Sequence, residues 1–284
     1  MTGGQLTLAS GTSEIGTFTL SGGVLTGVGL LTLVDHFGWS GGNMTGSGTT
    51  TANGGLTISG ASGKNLGRTL RIGNNSTAVN SGGGNFSINS PGVLEILAGS
   101  TFDQQSDGSI AGNGPFTNAG TFVRTTSTGS SSIFCPFDNN GTVDVQTGTL
   151  VLSGNGTHAG DFDATGAVLR FGGATHTVAT GADISGTRVE FGNGSVTLNG
   201  GYAVTGTTQV AGNVTFNAAA TLTSLGAAYE QSAGVVNLNS GETATVTTIN
   251  HSAGTLQGSD AINVSGLYAW TGGTLSGSGV STAQ

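Results

Sequence analysis

The chain has 284 residues, a formal net charge of −8 and only 7% charged residues, against roughly 25% in an ordinary soluble domain. An acidic surface with one lysine (Lys64) and five arginines repels phosphate backbones, which weighs against nucleic acid as a partner. The single cysteine, Cys135, rules out a disulfide framework within one chain, and no run of 18 apolar residues offers a membrane span.

The polar surface must therefore be built from hydroxyls and amides, which suits a protein working outside the cell among sugars. No signal peptide opens the chain, and a long repeat breaks off at Gln284, so the segment is read as a piece of a larger secreted array. Cys135 sits among Ile133, Phe134 and Phe137 and reads as a small buried apolar residue.

In chain order the recurring unit is a short alternating strand between glycines. Gln5-Leu-Thr-Leu8, Thr17-Phe-Thr-Leu20, Gly55-Leu-Thr-Ile58, Asn85-Phe-Ser-Ile88 and Val93-Leu-Glu-Ile-Leu97 come first. Thr142-Val-Asp-Val145, Thr149-Leu-Val-Leu152, Val189-Glu-Phe191, Val196-Thr-Leu198, Val214-Thr-Phe216 and Val236-Asn-Leu238 follow. Each puts its apolar side chains on one face and its polar ones on the other. No window keeps apolar positions at helical spacing, and glycine interrupts throughout. Strands this short need partners, and stacking must supply them.

The stacking period is visible in the sequence. Phe116-Thr-Asn-Ala-Gly-Thr-Phe122 matches Phe137-Asp-Asn-Asn-Gly-Thr-Val143 at an offset of 21, and Leu150 and Leu152 match Leu169 and Phe171 at 19. Ile184 and Gly186 match Val204 and Gly206 at 20, and Val196 and Leu198 match Val214 and Phe216 at 18. A period near 20 with about three strands inside it is the signature of an all-β, single-chain parallel β-solenoid. Residues 1–284 are read as one continuous solenoid of roughly 14 coils, about 65–70 Å long at the spacing of β-strands. Leu150, Leu152, Leu169, Phe171 and Phe191 are assigned to its core. Asn118 and Asn139, one coil apart, are expected to form an internal amide ladder. Between Asn74 and Pro115 the pattern loosens around Gln104-Gln-Ser-Asp107, which suggests an irregular coil or a protruding loop.

A second, longer period overlies the first. His36-Phe-Gly-Trp-Ser-Gly-Gly-Asn-Met-Thr-Gly-Ser-Gly48 recurs as Leu267-Tyr-Ala-Trp-Thr-Gly-Gly-Thr-Leu-Ser-Gly-Ser-Gly279 at an offset of 231, and 18–53 aligns with 249–284 without a gap. The Trp39–Gly48 and Trp270–Gly279 elements, the Phe-x-Asn-x-Gly-Thr element at Phe116 and Phe137, and Gly148-Thr-Leu-Val-Leu152 together resemble the repeats of filamentous-haemagglutinin-like adhesins and autotransporter passengers. That resemblance implies a right-handed β-helix displayed at a bacterial cell surface. It implies a structural or adhesive role as a surface adhesin or spacer; surface polysaccharide enters as a partner through the tryptophans that recur in each repeat, Trp39 and Trp270. A filament subunit stacking end to end on its own copies is the alternative, because open coil ends expose unpaired strand edges.

Polysaccharide-cleaving enzymes share the β-helix fold, and they need carboxylates beside a basic residue. Asp144, Asp163 and Asp183, at steps of 19 and 20, are the best outward column, with Asp161 beside them, and like charges at coil spacing make bound Ca²⁺ conceivable. Arg170 lies one coil from Glu190 and reads as its surface ion partner rather than a catalytic partner of the carboxylates. A solvated acidic face is the favoured reading; neither catalysis nor a cofactor is expected. His158 and His176 are 18 residues apart, and two histidines without a third ligand make a poor metal site. Trp39 and Trp270 can stack on sugar rings if exposed, although a core position suits them better. A threonine array of the ice-binding sort finds little support, since Thr197 and Thr215 are a coil apart but no Thr-x-Thr motif repeats in register.

Overall fold

The structure, a computed structural model, describes residues 1–283. Every regular element in them is a strand, and each pairs in parallel with a strand one coil away. The chain is an all-β parallel β-solenoid of about 14 coils with roughly 20 residues per coil. Its contacts divide it into two compact units, Met1–Asp144 and Val145–Gln284.

In the first unit three columns of strands stack. One runs Gln5–Leu8, Val24–Gly27, Gly42–Met44, Lys64–Leu66, Phe86–Ile88 and Ile110–Gly112. The second passes through Leu31↔Thr50↔Leu70↔Leu94↔Phe116↔Phe137. The third passes through Phe18↔Phe37↔Leu56↔Ala78↔Phe102↔Phe122. Almost every residue in the last two series is buried, because side chains of one parity point inward in all coils and each coil covers the next. The phenylalanines interlock there: Phe102 stacks on Phe122 at 5.8 Å and 10°, and Phe116 meets Phe137 edge-on at 5.0 Å.

The loosened stretch after Asn74 keeps its strands, at Thr77–Asn80, Phe86–Ile88, Val93–Ile96, Thr101–Gln104 and Ile110–Gly112. Extra residues enter at the corners instead, so Leu25↔Met44 are 19 apart whereas Ala78↔Phe102 are 24 apart. Corners accept insertions because strand register must be kept and corner length need not be. Asn74 and Asn75 turn one of them with φ of 57° and 55°, in the left-handed region that asparagine tolerates.

The second unit repeats the plan. One inward series runs Leu150↔Leu169↔Val189↔Thr208↔Tyr229↔Ile249, and beside it Leu152↔Phe171↔Phe191↔Val210↔Gln231↔His251↔Trp270. Leu150, Leu152, Leu169, Phe171 and Phe191 are all buried, with Phe171 and Phe191 stacked at 5.7 Å and 11°. Another column runs from Gly156–His158 through His176, Val196, Val214, Val236 and Leu256.

One sequence alignment shifts. Ile184 pairs with Tyr202, and Gly186 with Val204, two residues earlier than the offset of 20 expected from the sequence. A slip of two leaves each side chain on its original face, so alternation alone cannot detect it.

Candidate functional site

The aspartates do not share one column. Asp163 faces Ser185, while Asp183 faces Gly201, because Asp183 precedes its inward neighbour Ile184 and Asp163 follows Phe162. The carboxylates of Asp163 and Asp161 hold the scaffold locally. Asp163 Oδ1 accepts the main-chain N–H of Thr165 at 2.9 Å and its hydroxyl at 2.6 Å, and Asp161 Oδ1 accepts the N–H of Asp183 at 2.9 Å. Asp144 is half-buried at the end of the first unit. Among the described residues no group of three or more His, Cys, Asp or Glu is gathered closely enough to hold a metal ion. Of the calcium candidates Asp144, Asp163 and Asp183, the register does not bring Asp163 and Asp183 opposite one another. Arg170 does pair with Glu190 across coils, Nε to Oε2 at 3.7 Å, but Arg188 makes the closer contact with the same carboxylate at 2.7 Å.

Both tryptophans occupy inward positions. Trp39 follows Leu20 and precedes Ile58 in its column. It is completely buried, with Phe37 stacked at 6.2 Å and Phe86 edge-on at 5.5 Å. No sugar ring reaches it there. Trp270 stands opposite His251 in the strand register and is 55% exposed.

Polar residues in the core close the corners. Asn118 Nδ2 donates to Asn139 Oδ1 at 2.7 Å and to Thr142 O at 2.9 Å, while each asparagine oxygen accepts the N–H two residues on. The amide ladder expected from the sequence is thus present, each rung also holding a turn. Asn80 Nδ2 donates to Gln104 Oε1 at 2.8 Å, and Gln104 Nε2 donates to Gly108 O at 2.9 Å. The buried Arg124 donates to Ser106 O at 2.7 Å and pairs with Asp107. The polar run at Gln104–Asp107 is therefore tied down from inside. Lys64 is buried, donates Nζ to Gly60 O at 2.9 Å, and has its pKa lowered by desolvation. Burial raises the Cys135 thiol to about 12, which keeps it protonated and inert.

His158 and His176 meet inside the second unit, Nε2 to Nδ1 at 3.1 Å. His176 Nε2 lies 3.1 Å from Gly173 O, which must accept, so His176 carries its proton on Nε2 and its Nδ1 accepts from His158 Nε2–H. Burial lowers the pKa of His158 to about 3, with the neighbouring His176 adding to the effect, and burial lowers His176 to about 4. Both rings are neutral at physiological pH, and Phe162 and Phe171 pack on them edge-on.

One feature of the outer surface escaped the sequence reading. Thr157↔Thr177↔Thr197↔Thr215 stand in direct register over four coils, followed by Asn237 and Gln257. Beside them run Thr175↔Ser195↔Asn213 and Val235↔Thr255↔Thr274, joined by the hydrogen bond from Val235 N to Asn213 Oδ1. The spacings of 20, 20 and 18 were available as a signal, but only the strand register tells which threonines share a column. No protein-family model matches the chain, and no match was found to a curated protein or to a solved structure. The fold stands on its own coils: this is a β-helix repeat protein.

Proposed function

We propose that the chain is a structural and adhesive module of a large extracellular bacterial repeat protein, acting as a surface adhesin or spacer. The observation that carries this reading is the recurrence of 18–53 at 249–284, in which Trp270 takes the inward position that Trp39 fills in mid-stack. Recurrence without a gap over a stretch of this length is the mark of an array of repeats. A surface of hydroxyls and amides, with charge held to 7% of residues, accords with display outside the cell, and the filamentous-haemagglutinin-like motifs point the same way.

A second reading, a filament subunit, is favoured by the parallel coils themselves: each strand pairs with its equivalent one coil away, and the same pairing can join the coils of one copy to those of the next. Negative-stain electron microscopy at several concentrations separates the two. Discrete particles of constant length support the module, whereas uniform fibres that lengthen with concentration overturn it in favour of the filament.

A further inference from the structure

The charges of the second unit are segregated by face. Arg170, Arg188, Glu190 and Glu230 project from the column that begins at Thr149–Leu152. Asp161, Asp163, Asp183, Glu242 and Asp260 lie in or just before the strands Asp161–Val178, Asp183–Leu198, Thr243–Val246 and Ala261–Val264. The remaining face carries the threonine column from Thr157 to Gln257, and its paired segments 156–158, 173–178, 193–198, 213–216, 235–238 and 255–258 contain no Asp, Glu, Lys or Arg. In a chain of net charge −8 this is a separate chemical surface. Its margin is a shallow groove of about 430 Å³ lined by Ala174, Thr175, Asn193, Ser195 and Asn213 over a floor of glycines. The side-chain oxygens of Asn155 and Asn213 accept main-chain N–H groups of the following coils at 3.0 Å, which leaves their amide nitrogens as outward donors.

We infer that this neutral face and its groove bind an extended, uncharged polysaccharide running across the coils. A neutral face favours a neutral partner, since an ionic one would be drawn to the charged faces instead. Parallel coils repeat every ~4.8 Å, so the five steps from Thr157 to Gln257 span about 24 Å and present a hydroxyl or amide at each step. Individually such hydrogen bonds contribute little in water, and a polymer engages many at once. The mixture of Thr, Ser, Asn and Gln, with a groove alongside, suits a chain of sugars better than the flat lattice of an ice crystal. This inference rests on the adhesive reading and names the class of ligand for it.

The test is retention of the whole chain on insoluble β-1,4-glucan, β-1,3-glucan and α-1,4-glucan particles, with polygalacturonate beads and an ice-recrystallisation assay in parallel. Thr177→Glu/Thr197→Glu places charge on the face. Thr177→Val/Thr197→Val removes the hydroxyls while keeping a strand-forming residue. Thr207→Glu/Asn250→Glu is the charge-matched control on another face. The expected result is salt-insensitive retention on at least one neutral glucan, weakened about tenfold or more by both face variants and unchanged in the control, a change of at least one decade in Kd. Retention on polygalacturonate alone, activity on ice alone, or no retention overturns the inference. Glucan binding that only the control variant loses also overturns it, yet leaves the adhesive reading standing. Fibres in the microscope would remove that reading without touching this result.

Discussion

Leu169 and Thr197 lie in the same unit, one completely buried and one half-exposed, and they define the inward and outward sides of the coil. Leu169→Asp places an unpaired carboxylate between Leu150 and Val189 and should cost on the order of 4 kcal/mol. Thr197→Ala should stay within about 0.5 kcal/mol. Urea denaturation of both variants checks this, and equal midpoints would refute the inward assignment. Asn118→Ala removes donors to Asn139 and Thr142 and the acceptor for Gly120 N. The expected loss is about 2–3 kcal/mol, because the buried partners lose their bonds. The histidine pair makes stability depend on pH. Both pKa values are lowered on folding, to about 3 and about 4, so the unfolded chain binds these protons first. Their contribution is complete above about pH 6.5 and is lost as pH falls toward 4, by about 1.4 kcal/mol per unit for each proton. His158→Gln/His176→Gln should flatten the pH dependence of the urea midpoint between pH 7 and 4; an unchanged slope would refute the buried neutral pair.

At the scale of the coil, glycine is required where two corners touch. Gly112 has φ of +111°, and a Cβ there would lie 1.8 Å from Ile88 O on the previous coil. Backbone cannot yield at that distance without pulling the coils apart. Gly83 has nothing within 4 Å of an added Cβ and no such φ. Gly112→Ala should therefore cost several kcal/mol and open the first unit to limited proteolysis, while Gly83→Ala should be neutral or slightly stabilising. Comparable protease resistance in the two variants would refute close contact between the strand ends at Ile88 and Gly112.

For the molecule as a whole, the two tryptophans are reporters. Trp39 is completely buried and Trp270 is 55% exposed, so acrylamide should quench about half the emission, and Trp270→Phe should abolish the quenchable part. If Trp270 is instead covered by a second copy, its emission shifts to the blue as concentration rises. A shift of this kind would support the filament reading; quenching that is independent of concentration would support the separate module.

Alternation of apolar and polar residues, glycine punctuation and recurrence near 20 residues were enough to determine strands, coils and core, because a period-2 pattern fixes which side chains go inward. Leu150, Leu169, Phe171 and Phe191, and the Asn118–Asn139 ladder, were legible for that reason. What only the tertiary structure decided is lateral register. A slip of two residues keeps every side chain on its face, so Asp163 and Asp183 looked like neighbours although they face Ser185 and Gly201. Only the strand register, likewise, shows that Thr157, Thr177, Thr197 and Thr215 share one column. Spacing along one chain gives the parity of a position; backbone hydrogen bonds between coils decide which residue stands above it.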